Sequence, residues 1–170
     1  ATRGDHWRSG DISHFMVGVL APKNTPCASE HPPVYTLGKV GTGYNRAELH
    51  ELRATIRDRM GREEFFKYDP ANPPAHLLGW KPKKADDVPA VWFPPKQSVV
   101  VEVTAYEIIP SDAWRARCTL RFPRVVKLRY DKGWAEAESY DALMALHERL
   151  KAENRTLANA NAATTRAQPG

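Results

Sequence analysis

Cationic side chains crowd the stretch from 112 to 132, where Arg115, Arg117, Arg121, Arg124, Lys127, Arg129 and Lys132 face only Asp112 and Asp131. Most of them fall in two tight groups, Arg121-Phe122-Pro123-Arg124 and Arg129-Tyr130-Asp131-Lys132. From Val125 onward the period is two, which predicts a strand with Val126, Leu128 and Tyr130 on one face and Lys127 and Arg129 on the other. One buried and one cationic face suit contact with polyphosphate. Pro123 has no amide to give a ladder, so an edge or bulge is expected there, re-aiming Arg121 and Phe122. A half-exposed strand with merely solvated cations is the plain alternative. The clustering of the charges favours binding.

Other chemistry is thin. Gly38, Gly41 and Gly43 form neither GxGxxG nor GxxxxGK and read as turn residues between a strand and a helix cap. His6, His14 and His31 have no ligand spacing, and Cys27 and Cys118 form no CxxC, so neither a metal site nor a disulfide framework is expected. That cysteine usage fits a reducing interior. Asp86-Asp87 reads as loop charge. Trp92 reads as packing, while Trp114, beside Arg115 and Arg117, either packs or stacks on a base.

The two charge groups together resemble motif VI of the ATP-dependent DNA ligases, Arg-Phe-Pro-Arg followed by Arg-x-Asp-Lys. Arg121, Phe122, Pro123, Arg124, Arg129, Asp131 and Lys132 all match it. Ile12–Leu20, Val34–Tyr44 and Val99–Ser111 resemble successive strands of the ligase OB domain. The short link from Ile109-Pro-Ser-Asp112 to Cys118-Thr-Leu-Arg121 is similar to the ligase IV branch of the family, which acts in nonhomologous end joining.

The resemblance implies an OB-fold domain with two jobs and a place in the nucleus. During adenylation with ATP and Mg²⁺, Arg129 and Lys132 would engage the β and γ phosphates. Asp131 would orient them or neutralise one of them. During sealing, Arg121, Arg124 and Lys127 would meet the backbone of nicked duplex DNA, with Phe122 pressed into the minor groove. Parity alone would instead make Phe122 a core aromatic. The partners implied are the nucleotidyltransferase and DNA-binding domains of the same ligase and, through regions outside this chain, an end-joining scaffold protein. No Lys-x-Asp-Gly run exists here, so the segment is expected to be inactive by itself. A non-catalytic OB module using the cations as a backbone track is the rival reading, and a capping-enzyme domain a weaker one.

The positioning elements follow from pattern. With 170 residues, 42% hydrophobic, the chain can bury one core. Its net charge of +5 is compatible with nucleic acid without proving it. Ala1 to Trp7 has no signal-peptide character, no apolar run is long enough to span a bilayer, and no membrane partner is expected. Strands are expected at Phe15–Leu20, Val34–Val40, Val91–Phe93 and Val99–Ile109, followed by the motif strand. Residues 1–11 read as frayed and residues 21–33 as a proline-rich loop. Asn45 and Glu48 form a capping box opening a helix with Leu49, Leu52, Ile56 and Met60 on one stripe, ending near Gly61. A second, short helix carries Leu143, Leu146 and Leu150, capped near Ser139 or Asp141. The expected class is mainly β: a five-stranded Greek-key OB barrel whose first strand belongs upstream of Ala1, with an inserted and a C-terminal helix. Residues 1–151 form that domain, and 152–170 a fraying helix passing into a linker.

Overall fold

The structure, a computed structural model, describes residues 2–3, 12–62 and 65–166. Strands β1 (Thr2–Arg3), β2 (Ile12–Leu20) and β3 (Val34–Val40) form an antiparallel sheet in that order. β1 falls within the stretch read as frayed; residues 4–11 of that stretch lie outside the described residues. The β2–β3 register shifts between Val17 and Gly18. A Cβ at Gly18 would stand 2.6 Å from Val34 Cγ1 and 2.8 Å from the Tyr35 carbonyl oxygen, so the close pairing requires glycine.

Helix α1 (Arg46–Gly61) opens as its sequence dictates. The Glu48 amide donates to Asn45 Oδ1 at 2.9 Å, and the Asn45 amide donates to Glu48 Oε2 at 2.8 Å. Leu49, Leu52 and Ile56 are buried; the Met60 side chain lies outside the described residues. Strands β4 (Phe66–Lys67) and β5 (Val91–Trp92) form a two-residue ladder. Trp92 packs, stacking on Phe66 at 4.7 Å and lying against His76 at 5.0 Å.

The expected strand at Val99–Ile109 is two strands, β6 (Val101–Thr104) and β7 (Glu107–Pro110). The motif strand is likewise two, β8 (Cys118–Arg121) and β9 (Arg124–Leu128). β7 pairs with β8 and β6 with β9, so the chain changes ladders at Ala105-Tyr106 and again at Phe122-Pro123. The second corner has a local cause: Pro123 cannot donate, and Phe122 takes a left-handed backbone with φ 51°.

The expected alternation along the motif also fails. Val125 pairs with Val103 and Lys127 with Glu102, leaving Val126 as an extra, bulged residue. Val125 and Leu128 are therefore the buried pair, while Val126 and Tyr130 are 52% and 49% exposed. One inserted residue moves each side chain beyond it to the opposite face.

Helix α2 (Tyr140–Arg166) starts at Ser139, whose Oγ accepts from the Ala142 amide at 3.2 Å. It runs without a break past residue 151 into the stretch read as a fraying helix, because Ala152 and Ala158 keep helix propensity high where the apolar stripe has ended. Leu143 is buried, whereas residues 148–159 are exposed.

The architecture is thus mixed rather than mainly β. Two helices of 16 and 27 residues accompany one three-stranded and three two-stranded antiparallel sheets among the described residues. These strands do not close into one five-stranded barrel. Where β3 nears the segment before β8, the Ala116 amide donates to the Thr36 carbonyl (3.0 Å) and the Arg115 amide to Thr36 Oγ1 (3.1 Å), without a continuous ladder. Val40, Leu52, Ile56, Val125 and Leu128 form the cluster beneath the motif. Each such side chain contributes about 1.5–3 kcal/mol on burial. That cluster seats β9 on α1.

Candidate nucleotide and nucleic-acid interface

The turn at 41–43 holds the Phe122-Pro123 corner. The Val125 amide donates to the Thr42 carbonyl at 2.8 Å, and Thr42 Oγ1 donates to the Pro123 carbonyl at 3.2 Å. Gly43 has φ +108°, and a Cβ there would run into the Val125 backbone nitrogen and oxygen. Only glycine allows this docking.

Held in this way, Phe122 is 70% exposed and lines a shallow recess with Thr42, Pro123 and Arg124. Parity would have buried it; the corner turns it out. Arg121 pairs across the strands with Glu107 (Nη1 to Oε1, 2.7 Å), and its guanidinium lies 5.3 Å from the Phe122 ring centroid. That is a cation–π distance. Arg124 and Lys127 are exposed and make no ion pair with a described residue.

At the far end of β9 the Arg129 amide donates to the Val100 carbonyl at 2.8 Å. Its guanidinium grips Asp131 through both oxygens, at 2.9 and 2.8 Å, and reaches Glu102 at 3.2 Å. This fork holds the Asp131 carboxyl well below the usual carboxylate range and raises Arg129 further. Asp131 therefore engages Arg129 rather than Lys132. The Lys132 amide closes a turn onto the Arg129 carbonyl at 3.2 Å, and its ammonium sits 3.7 Å from Glu136. Glu136 in turn accepts from the Gly133 amide at 2.8 Å. Lys132 is thus loosely held, and Arg129 keeps N–H groups unspent.

The expected site residues do not converge on one point. Arg121, Phe122 and Arg124 stand at one end of β9 and Arg129, Asp131 and Lys132 at the other, roughly 17 Å apart by the rise of its five residues. Lys127, grouped with the DNA contacts on sequence, pairs in register with Glu102, and its charge bears on Asp131. It therefore stands between the two ends. Sequence reasoning missed Glu102, Glu107, Glu136 and Thr42, whose roles come from cross-strand register and turn packing. Glu136 alone left a signal, at i+4 from Lys132.

Trp114 faces no solvent: it is buried and stacks on Trp80 at 5.5 Å, with the planes 14° apart. Cys27 and Cys118 are free thiols. Among the described residues no three His, Cys, Asp or Glu side chains gather as a metal site, and no helix is long and apolar enough to cross a membrane.

Residues 8–132 match a family described as the ATP dependent DNA ligase C terminal region, a match ending on Lys132. The chain is 34% identical over 153 residues to DNA ligase 4 of Gallus gallus, covering 87% of this chain and 15% of the relative. Against DNA ligase 4 of Homo sapiens it is 37% identical over 149 residues, covering 84% and 15%. Against that of Dictyostelium discoideum it is 31% identical over 148 residues, covering 82% and 13%. The chain therefore spans only a small share of the length of the relatives it matches. With most of its residues inside the family match and both cation groups of the motif intact, the chain belongs to the C-terminal region family of ATP-dependent DNA ligases.

Proposed function

We propose that this chain is the OB-fold domain of a nuclear, ligase IV-like enzyme of end joining, residues 1–151 forming the domain and 152–170 the connecting segment. It lends two separate surfaces to two steps of one reaction. In adenylation, a lysine of the nucleotidyltransferase domain attacks the α phosphorus of ATP, and the bond to the β phosphate breaks. Negative charge grows on the departing pyrophosphate, and Arg129 and Lys132 stabilise it, with Asp131 orienting Arg129. The residues present fit a triphosphate: Arg129 keeps unspent guanidinium donors, and Lys132, tied to it through one backbone bond, carries a loosely held ammonium. Mg²⁺ would take its ligands from the phosphates and the nucleotidyltransferase domain.

In sealing, Arg121 and Arg124 meet backbone phosphates of the nicked duplex, and Phe122 enters the minor groove. There an apolar wedge unstacks the duplex most cheaply, where it is already broken. Lys127, between the two ends, adds a phosphate contact.

The observation that carries this reading is the outward Phe122, flanked by cations, at the opposite end of β9 from Arg129 and Lys132. Two surfaces a strand apart can serve two partners in turn. The test uses the full-length ligase. Arg129→Ala or Lys132→Ala should slow self-adenylation by about 10²–10³-fold, the loss typical of one preorganised donor, and spare closure of a pre-adenylated nick. Phe122→Ala should do the reverse. If Lys132→Ala adenylates normally but fails to close a pre-adenylated nick, the cluster is a DNA track and the assignment of roles falls.

A further inference from the structure

Two large rings stand outside every core cluster, on facing backbone positions of one corner. Tyr106 is 78% exposed and Phe122 70%, the two highest values among the exposed large hydrophobic residues described. β7 and β8 pair through Glu107 and Arg121, and Tyr106 and Phe122 are the next residue of each strand beyond that pair. The Tyr106 amide donates to the Arg121 carbonyl at 2.9 Å, so one more bond ties its backbone to the corner. Arg121 is itself held by Glu107 and lies over the Phe122 ring.

A single exposed ring is ordinary, but two exposed rings on one corner, one of them flanked by cations, mark a contact surface. The rim identifies the occupant. Arg121 neutralises Glu107, and Arg124, which lines the same recess as Phe122, makes no ion pair with a described residue, which leaves positive charge at this corner. That combination suits the sugar-phosphate edge of a duplex better than an apolar protein surface. Phe122 can only press against its partner, whereas a phenol offers an apolar face together with an O–H donor.

We propose that Tyr106 is a second DNA contact at this corner, its ring against a deoxyribose beside the nick and its hydroxyl donating to a backbone phosphate. The inference rests on the corner being the duplex-facing edge and adds a residue that the motif does not contain. A phosphate contact would fix position without reading sequence.

The test again uses the full-length ligase. Tyr106→Ala should raise KM for a pre-adenylated nick roughly 5- to 20-fold, within the range of a lost aromatic contact to nucleic acid, and leave self-adenylation unchanged. Tyr106→Phe should retain most of the affinity and lose only the part owed to the hydroxyl. A photo-crosslinking p-benzoylphenylalanine at position 106 should capture DNA flanking the nick. A normal KM for Tyr106→Ala, or a crosslink only to protein, overturns the inference. Should Tyr106→Ala melt early, the crosslink decides. If Phe122→Ala is impaired while Tyr106→Ala is not, the inference on Tyr106 alone fails; if both are normal, the DNA-facing reading of the corner fails with it.

Discussion

Phe122 occupies a backbone conformation, φ 51°, that costs an L-residue about 1–2 kcal/mol, and its ring recovers little by packing because 70% of it is exposed. Strain without compensating burial fits a side chain retained for contact with something else. Phe122→Gly should therefore melt at or slightly above the parent temperature, the relieved strain outweighing the extra freedom of the unfolded chain. The same variant should seal pre-adenylated nicks poorly in the full-length ligase. A fall in melting temperature would show the ring to be structural. Asp131 behaves differently. Its depressed pKa means that the fork to Arg129 contributes stability that is present above the ordinary carboxylate value and lost as pH falls through the folded value. Loss of the Arg129 orientation should thus require strong acid, and the adenylation rate should show no Asp131 inflection between about pH 5 and 8.

Two elements can be broken separately, and the first of them holds the motif in place. The turn at 41–43 fits only because Gly43 lacks a Cβ. Gly43→Ala must move the turn away from the Val125 backbone, giving up the bonds from Val125 and Thr42. The expected cost is about 1–3 kcal/mol, read as a lower melting temperature, with both adenylation and sealing reduced since β9 carries both surfaces. The single 3-10 turn Ala75–Leu77 places His76 against Trp92 and beside His31, 6.2 Å away. Burial, with the nearby His31 charge, pushes its pKa down to about 4. The unfolded chain takes up that proton near pH 6.5, the fold only near 4, so stability falls as pH drops through this window, by at most about 3 kcal/mol. Melting curves at pH 7 and 5 should separate, and His76→Leu should bring them together. Asp69, Asp112 and Glu148 have lowered pKa values, so their losses come at more acid pH and do not mimic this one.

For the whole molecule, charge sets the expectation. The chain carries net +5, and in the proposed reading Arg121, Arg124 and Lys127 meet phosphate. Neutralising three or four phosphates should make duplex affinity fall roughly 40- to 150-fold between about 50 and 200 mM salt, with no preference for base sequence. Titrating the 170-residue chain against unrelated duplexes at several salt concentrations measures this. A flat salt dependence counts against a phosphate track. The same chain, incubated with labelled ATP and Mg²⁺, should acquire no lysyl-AMP, as no Lys-x-Asp-Gly is present.

Local pattern was enough for elements whose cause is local. β3 at Val34–Val40, the Asn45–Glu48 capping box, the end of α1 at Gly61 and the Ser139 cap all follow from side chains that bond or pack within a few residues. The motif itself was legible because its residue types and spacing are specific whatever the fold around them. The direction of its side chains was not. Whether Phe122 faces core or solvent depends on the ladder switch at Pro123, and whether Val126 is buried depends on a bulge defined only against β6. The carboxylates Glu102 and Glu107 meet their arginines across strands, 27 and 14 residues away. Alternation along one strand cannot reveal such a slip, because period two has no memory of an inserted residue in the pairing. Tertiary structure supplied that choice, turning one predicted cationic strand into two surfaces at opposite ends of β9.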